Sequence, residues 1–499
     1  MEIQFDRISV PYLQKLAGQL RAQEQTIEVR LPDGQPDIGR VLGAWGQVIV
    51  RSKEWGSGTM SLSGGVMTWV LYAPEDGGSV QSVEAWLPFA AKWDLPETQY
   101  DGKILASCLL KSVDARSTSA RKLMVRANLE IMGEAWESAE ARIAVPGDVP
   151  EDVAMLTASY PVLLPKEAGE KMFLLEDTLN FPGNCPKIEK IMYYNLRPDI
   201  LEKKVMAGKV VFRGIGLIHI LYQGENGNLY TWDCELPFSQ YGDLEGEYDG
   251  DPEVSVYPCV TSLDLSLDEN GDLQLKAGVL GQYLLWDRSV ITVAEDAYSP
   301  RRELDVMVED AMLPAVLDRT VQTVQAEKSV QVDAQQVVDV AFYPLSGEVQ
   351  RTDAELALSL PAQVQMLYYD LDGMLQSVIV PWEGQWNYPV SDSCIVDTRI
   401  VPLGKPQAMA GAGHINIRAE VGVDAVTTAG QGISVVTGMT AGELEKNDPN
   451  RPSLILCKAG KRRLWDIAKE SGSTVASIKQ ANSLQGEPDS NTVLLIPIV

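Results

Sequence analysis

Histidine is nearly absent from this chain of 499 residues, which contains only His219 and His414. Two imidazoles exclude any site that needs three of them, and they leave histidine general-base chemistry with two candidates. The six cysteines form no C-x-x-C pair, and their scattered spacing is typical of neither a zinc ribbon nor a disulfide scaffold. A reducing compartment is the simpler interpretation.

Positive charge is also scarce, since 42 Lys and Arg residues stand against 69 Asp and Glu residues, for a net charge of −27. Such a chain has no general attraction to phosphate backbones or anionic lipid heads, so we expect no nucleic-acid binding. No stretch approaches about 18 uncharged apolar residues, and the charged N-terminus has no apolar segment behind it. We therefore expect a cytoplasmic protein without membrane insertion.

The usual catalytic signatures are missing as well. There is no phosphate-binding loop, no H-E-x-x-H and no G-x-S-x-G, and Gly214-x-Gly216 lacks the third glycine of a nucleotide fingerprint. His219 lies in an apolar run and is interpreted as a strand residue, whereas His414 follows a glycine-rich turn. We expect a protein that is not an enzyme, with no catalytic residue, no metal site and no cofactor.

Three copies of a hairpin motif are present. Each has an apolar residue and a tyrosine, followed four and five residues later by Asp-Gly or Asn-Gly between β-prone runs. Such pairs are a strong signal for a hairpin with a type I′ turn. The copies are Leu71-Tyr72 with Asp76-Gly77, Leu221-Tyr222 with Asn226-Gly227, and Leu367-Tyr368 with Asp372-Gly373.

Two further motifs follow each hairpin. In the first, proline is expected to end strand pairing because it lacks an N–H donor; its copies are Leu87-Pro88-Phe89, Leu236-Pro237-Phe238 and Val380-Pro381-Trp382. The second ends in Arg/Lys-Ala, at Arg126-Ala127, Lys276-Ala277 and Arg418-Ala419. Pro36-Asp37-Ile38 and Pro198-Asp199-Ile200 are interpreted as a shared start of the first two copies, which the third lacks.

The copies recur at intervals of 142 to 150 residues, and apolar and polar residues alternate within them with a period of two. A period this long is not that of a solenoid, whose units cannot bury a core alone. We expect a mainly β protein with three independently folded β-sandwich or barrel-like domains at residues 1–150, 151–300 and 301–437. Val10 to Glu24 and Leu304 to Met312 look helical and are expected to be connectors or caps.

Residues 438–452 have the composition of a linker, rich in glycine, proline and asparagine. The following segment, 453–499, is called the C-terminal module below. It carries six Lys and Arg residues against four Asp and Glu residues, so its net charge is +2 and that of the rest of the chain is −29. Its pattern predicts a short strand, two short helices and a final strand.

The order β-α-α-β in the C-terminal module resembles the LysM domain, found in many peptidoglycan- and chitin-binding proteins. The matches are Leu464-Trp465 with Ile467-Ala468, the helix that ends in Asn482-x-Leu484, and Ile496-Pro497. In that family the loop before the first helix is usually Gly-Asp-Thr-Leu-Trp and forms a wall of the glycan groove. Here it carries three cations, which suit carboxylates better than a neutral amino-sugar.

Three roles of this loop stay open: contact with a protein, glycan binding, or no role beyond a solvated loop. The resemblance implies a partner- or glycan-binding site on the loop and the helix ends. Its residues are Gly460, Lys461, Arg462, Arg463, Leu464, Trp465, Asn482 and Leu484.

The three β copies resemble the SPOCS repeats of clostridial spore-coat proteins, and repeats followed by one LysM domain are the arrangement of the SipL-type spore coat morphogenetic family. The resemblance implies a non-enzymatic structural adaptor in coat or envelope assembly, in the mother-cell cytoplasm at the forespore surface. It implies docking on the coat basement-layer ATPase of the SpoIVA type, with a contribution from the LysM region. The alternative is a peptidoglycan-binding protein that acts at the cortex or cell wall.

Overall fold

The computed structural model describes residues 2–3, 5–96, 102–146, 149–248, 252–345, 347–352, 355–389, 394–444 and 452–499. Within these ranges there are 22 strands and two short helices, so the prediction of a mainly β protein is confirmed. The first seven strands are β1 (Glu2–Ile3), β2 (Phe5–Arg30), β3 (Ile38–Gly56), β4 (Thr59–Pro74), β5 (Gln81–Asp94), β6 (Lys103–Ser119) and β7 (Lys122–Pro146).

The next six strands are β8 (Ala154–Leu179), β9 (Ile188–Met206), β10 (Lys209–Gly224), β11 (Leu229–Asp243), β12 (Glu253–Leu267) and β13 (Leu273–Tyr298). The following seven are β14 (Leu304–Val330), β15 (Ala334–Pro344), β16 (Glu348–Arg351), β17 (Glu355–Asp370), β18 (Leu375–Pro389), β19 (Cys394–Gly411) and β20 (His414–Ala441). The C-terminal module contains β21 (Leu454–Lys458), α1 (Leu464–Ser471), α2 (Val475–Asn482) and β22 (Val493–Pro497).

One antiparallel pairing order occurs three times along the chain. A long strand pairs with the last strand of its set, which also pairs with the strand before it: β2-β7-β6, β8-β13-β12 and β14-β20-β19. The strands between form a second sheet, in the orders β3-β4-β5, β9-β10-β11 and β15-β17-β18. We call the strands β2–β7, β8–β13 and β14–β20 the first, second and third β units.

The two segments with a helical pattern are strands, so that prediction is wrong. Val10 to Glu24 lies in β2 and pairs with β7, and Leu304 to Met312 lies in β14 and pairs with β20. Each partner strand pairs with its segment over the whole length and bonds the backbone groups that face it. Tertiary pairing of this kind overrides a local preference for helix.

The predicted type I′ turns are also wrong, because such a turn needs positive φ at both central residues. In the three hairpins only the glycines have it, with φ values of 76°, 78° and 74° at Gly77, Gly227 and Gly373. The N–H of Gly227 donates to Gly224 O at 2.8 Å, and that of Gly373 to Asp370 O at 3.0 Å. In each turn the backbone therefore adopts the left-handed conformation only at the glycine, and the Asp or Asn before it has negative φ.

The prolines that were expected to end strand pairing lie inside strands. Pro88, Pro237 and Pro381 pair with residues of β4, β10 and β17, and β5, β11 and β18 continue beyond them. All three of these are outer strands of their sheets. A proline is tolerated there because its missing donor faces away from the ladder.

The shared start of the first two units is a misalignment. Pro36 and Asp37 precede β3, whereas Pro198 and Asp199 lie in the middle of β9. The predicted linker 438–452 contains the end of β20 at Ala441, and its residues 445–451 lie outside the described residues.

One buried cluster reaches into all three β units, in addition to the separate clusters within the first and third units. The shared cluster contains Trp45 and Leu71 of the first unit, Tyr193 and Phe212 of the second, and Leu367 of the third. The rings of Trp45 and Tyr193 lie 5.9 Å apart between centroids. The units thus bury apolar surface against one another as well as within themselves.

A buried ionic network joins the three units near their long strands. Arg399 of the third unit donates to Glu134 of the first at 2.7 Å, and Lys15 lies 3.1 Å from the same carboxylate. The Arg399 guanidinium stacks 3.6 Å from the ring centroid of Tyr257 in the second unit. Burial raises the pKa of Glu134, but Arg399 and Lys15 outweigh it and lower the pKa to about 2.

Candidate protein-docking site

The C-terminal module has a core of its own. β21 and β22 form a two-stranded antiparallel sheet, and the two helices lie between them in sequence. The apolar face of α1 is fully buried because Leu464, Ile467 and Ala468 follow the helical spacing. α1 ends at Gly472, whose φ of 63° is the left-handed conformation that glycine adopts most easily.

The two loops that carry most of the predicted site residues lie side by side. The N–H of Gly460 donates to Ser490 O at 3.1 Å, and the N–H of Leu464 donates to the Glu487 carboxylate at 2.8 Å. Glu487 thus joins the loop after α2 to the start of α1. The sequence pattern gave no signal for this role of Glu487, which lies 23 residues from its partner.

Trp465 does not face solvent. Its side chain packs against the end of β13, where its ring meets that of Tyr298 edge-on at 4.8 Å between centroids. Its indole N–H donates to the Asp296 carboxylate at 2.8 Å. Trp465 is therefore occupied by the second β unit, and a partner could reach it only after this contact opens.

Lys469 and Tyr298 complete the contact between the C-terminal module and the second unit. The Lys469 ammonium donates to both oxygens of Asp296, at 2.8 and 2.9 Å. The Tyr298 hydroxyl donates to Ser473 O at 3.0 Å. Lys469 follows Trp465 by one helical turn and so shares its face of α1, a spacing that could have identified it from the sequence.

The cationic loop is exposed, and its two arginines pair within the C-terminal module. Arg462 donates to Glu470 at 2.7 Å, and Arg463 donates to Asp466 at 3.2 Å. The Cys457 sulfur and Glu470 raise the pKa of Arg462, and Asp466 raises the pKa of Arg463. Lys461 is also exposed. The guanidinium groups remain at the surface, where they keep donors available to a second carboxylate.

Asn482 and Leu484 hold the C-terminal module together. The Asn482 amide donates to Ile478 O at 2.8 Å and to Leu495 O at 2.6 Å, and it accepts from the Leu495 N–H at 2.8 Å. Leu484 is half-buried and packs on the core of the module. Their contacts thus tie α2 to β22 rather than to solvent-facing groups.

The outer face of the β21–β22 sheet is apolar and exposed. Leu454, Leu456 and Val493 have 46%, 68% and 60% of their surface accessible. Leu454 and Leu456 point to one side because side chains alternate along a strand. This face and the cationic loop are two of the surfaces that the C-terminal module presents to solvent.

His219 is the one histidine that acidic groups enclose within the described residues. Its Nδ1 lies 2.6 Å from Asp233, and its Nε2 lies 2.9 Å from Asp339, a buried residue of the third unit. Burial alone would lower the pKa of His219, but Asp339 and Asp233 outweigh it and raise the pKa to about 9. At neutral pH the ring is therefore an imidazolium, which joins two units and has no free lone pair to act as a base.

This arrangement should make stability depend on pH. Because the folded pKa lies above the ordinary 6.5, the charged ring contributes stability that is complete below that value and is lost as the pH rises through about 9. We expect the wild type to lose stability relative to His219→Gln between about pH 7 and about pH 10. Urea unfolding of both proteins at fixed ionic strength measures this difference.

The control is His414→Gln, which removes the histidine at the start of β20, where its Nδ1 lies 3.0 Å from Ala412 O. A difference between wild type and His219→Gln that stays constant over this pH range would contradict the assignment.

Among the described residues, no group of three or more His, Cys, Asp or Glu side chains could hold a metal ion. Two open surface depressions lie mainly on the first unit, one beside Ile38 and Ser117–Ala120 and the other beside Ala22–Glu24 and Lys111. Neither includes a residue of the C-terminal module. No helix in the described part of the chain is long and apolar enough to cross a membrane.

Comparison with known families gives one match. Residues 187–268, which cover β9 to β12 of the second unit, match the family model described as SipL, SPOCS domain. The match supports a relation to the SipL-type family. It also supports a sporulation-related role. Searches of curated proteins and of solved structures gave no match.

Proposed function

We propose that this protein is a non-enzymatic structural adaptor in spore coat or envelope assembly. In this proposal the three β units are SPOCS-like repeats, and the C-terminal module is a LysM-like domain that docks on a coat basement-layer ATPase of the SpoIVA type. The protein acts in the mother-cell cytoplasm at the forespore surface. The observation that carries the proposal is the SPOCS match over residues 187–268.

The pairing pattern supports the assignment of the other two repeats. The matched segment contains β9-β10-β11 and β12, and the same order of pairing occurs in the first and third units. The three units also share a buried core and an ionic network. Contacts of this kind between the units suit a scaffold, which must hold its contact surfaces at fixed positions.

Charge supports a protein partner for the C-terminal module. The rest of the chain carries −29, so the cationic loop is a local departure from an acidic molecule. Lys461, Arg462 and Arg463 are exposed, and arginine forks recognise carboxylates. An acidic protein surface is the partner that this loop would bind best.

The test is a pull-down of the coat ATPase by the full-length protein. Lys461→Gln, Arg462→Gln and Arg463→Gln together remove three charges without placing acids beside Glu470 and Asp466. We expect binding to weaken about tenfold at low salt, since exposed charges contribute about 0.2–1 kcal/mol each. Lys479→Gln, on α2, is the matched control, and equal binding by the triple variant and the control would refute docking through this loop.

Glycan binding is the second candidate. Its support is the adjacency of the two loops at Gly460–Ser490, since the resemblance implies a groove between loops of this kind. Sedimentation of the full-length protein with purified peptidoglycan tests it. Specific, saturable retention that the triple variant keeps would favour the glycan over the protein partner.

A further inference from the structure

The end of β13 packs against α1 of the C-terminal module. Asp296 accepts hydrogen bonds from Trp465 and Lys469, and Tyr298 packs edge-on against Trp465 and donates to Ser473 O. Asp296 and Tyr298 are two residues apart in a strand, so both side chains point toward α1. The module thus contacts a short extended segment that has an acidic residue and an aromatic residue at alternate positions.

These contacts are of a kind that can open and close. The Lys469–Asp296 pair is partly exposed, with 45% and 27% of the two side chains accessible. The apolar core of the module is built mainly from its own residues, and Leu464, Ile467, Ile478, Leu494 and Ile496 have no accessible surface. Leaving the second unit would expose Trp465 and Tyr298, the two side chains of the ion pair, and the apolar contact with Ala154 and Leu156 of β8.

We propose that Trp465 and Lys469 form a binding site for an acidic-x-aromatic strand segment of a partner protein, and that Asp296-Ala297-Tyr298 occupies it as an internal ligand. The free protein is then self-closed. This inference rests on the proposed docking function and deepens it, because it names the chemistry of the partner segment: an Asp or Glu, any residue, then Tyr, Phe or Trp, in extended conformation.

Tethering decides which ligand occupies the site. A ligand on the same chain acts at an effective concentration of millimolar order when its linker is short. A free segment with micromolar affinity would gain little access against it. A partner that displaces Asp296-Ala297-Tyr298 must therefore present many copies of the segment or bind a second surface, such as the cationic loop.

A peptide-binding experiment tests the inference without the coat ATPase. The probe is a fluorescent peptide with the sequence of residues 290–300, Val-Ile-Thr-Val-Ala-Glu-Asp-Ala-Tyr-Ser-Pro. We expect full-length protein with Asp296→Asn and Tyr298→Ala to bind this peptide at least about tenfold more tightly than the wild type does, by fluorescence anisotropy. A peptide with Asn and Ala at the two recognised positions should not bind.

The matched control is Asp287→Asn, which removes the same charge from the same strand; within the described residues, Asp287 makes no hydrogen bond or ion pair with α1. It should bind the peptide as weakly as the wild type. We call the variant with Asp296→Asn and Tyr298→Ala the opened variant. The inference would be overturned if the wild type and the opened variant bound the peptide equally, or if the opened variant bound both peptides equally.

A charge exchange guards against a folding defect in the opened variant. Lys469→Asp added to the opened variant should abolish peptide binding. Asp296→Lys with Lys469→Asp restores an ion pair of reversed polarity, leaves the Trp465 N–H without its acceptor because lysine only donates, and should not bind the acidic peptide. None of these measurements involves the ATPase. They therefore test the peptide site separately from the proposed docking on the ATPase.

Discussion

Replacing Trp45 with alanine is expected to lower the free energy of unfolding by about 3–5 kcal/mol, which is the usual cost of truncating a fully buried tryptophan. Trp45 has no accessible surface and packs on Tyr193 across the contact between the first and second units. The cavity would therefore open between units as well as within one. Urea unfolding followed by near-ultraviolet circular dichroism measures the loss.

Trp45→Phe is the informative control. The indole N–H of Trp45 is buried without a hydrogen-bond partner in the described structure, so phenylalanine loses volume but no hydrogen bond. We expect it to cost clearly less than the alanine change. If alanine at this position proved as mild as phenylalanine, the packing of Trp45 on Tyr193 would not be a feature that holds the first two units together.

Replacing Arg399 with alanine is expected to cost about 3–5 kcal/mol, because it leaves a buried carboxylate with a missing partner. Arg399 and Glu134 have only 11% and 9% of their side chains accessible. Lys15 would still face Glu134, and Arg319 would still bind Asp424 at 2.7 Å. The loss is therefore that of one strong interaction and of the stacking on Tyr257.

Two comparisons separate these contributions. Arg399→Lys keeps a charge but not the planar group above Tyr257, and we expect an intermediate loss of stability. Arg288→Ala removes an arginine that is 72% accessible and pairs with Glu253, so it should cost less than about 1 kcal/mol. Thermal midpoints of the three variants would contradict the buried network if Arg399→Ala ranked with Arg288→Ala.

The strand content of this protein could be predicted because alternation is a local property. Residues of β10 such as Val210 and Phe212 are buried while Arg213 is exposed, and the sequence shows the same period. The segment Val10 to Glu24 shows the limit of this reasoning. Its helical spacing is local too, but the 26-residue strand β2 is fixed by pairing with β7, more than 100 residues away at Glu24.

Contacts between distant parts of the chain left no pattern to find. Arg399 and Glu134 are 265 residues apart, and Trp465 and Asp296 are 169 residues apart. The sequence did place Trp465 on the amphipathic helix and the arginines on the preceding loop, and the structure has both there. It could not indicate that Trp465 faces the second β unit, since that depends on where the whole C-terminal module lies.

The prolines inside β5, β11 and β18 lie on outer strands, where a neighbouring molecule could otherwise pair with the sheet. Each of these outer strands would otherwise present a row of N–H and C=O groups on which a neighbouring molecule could add a strand. A proline in the middle of the row removes one donor and places its ring toward the newcomer. Addition of a strand from a neighbouring molecule would therefore be hindered at β5, β11 and β18, where Pro88, Pro237 and Pro381 interrupt the row of donors.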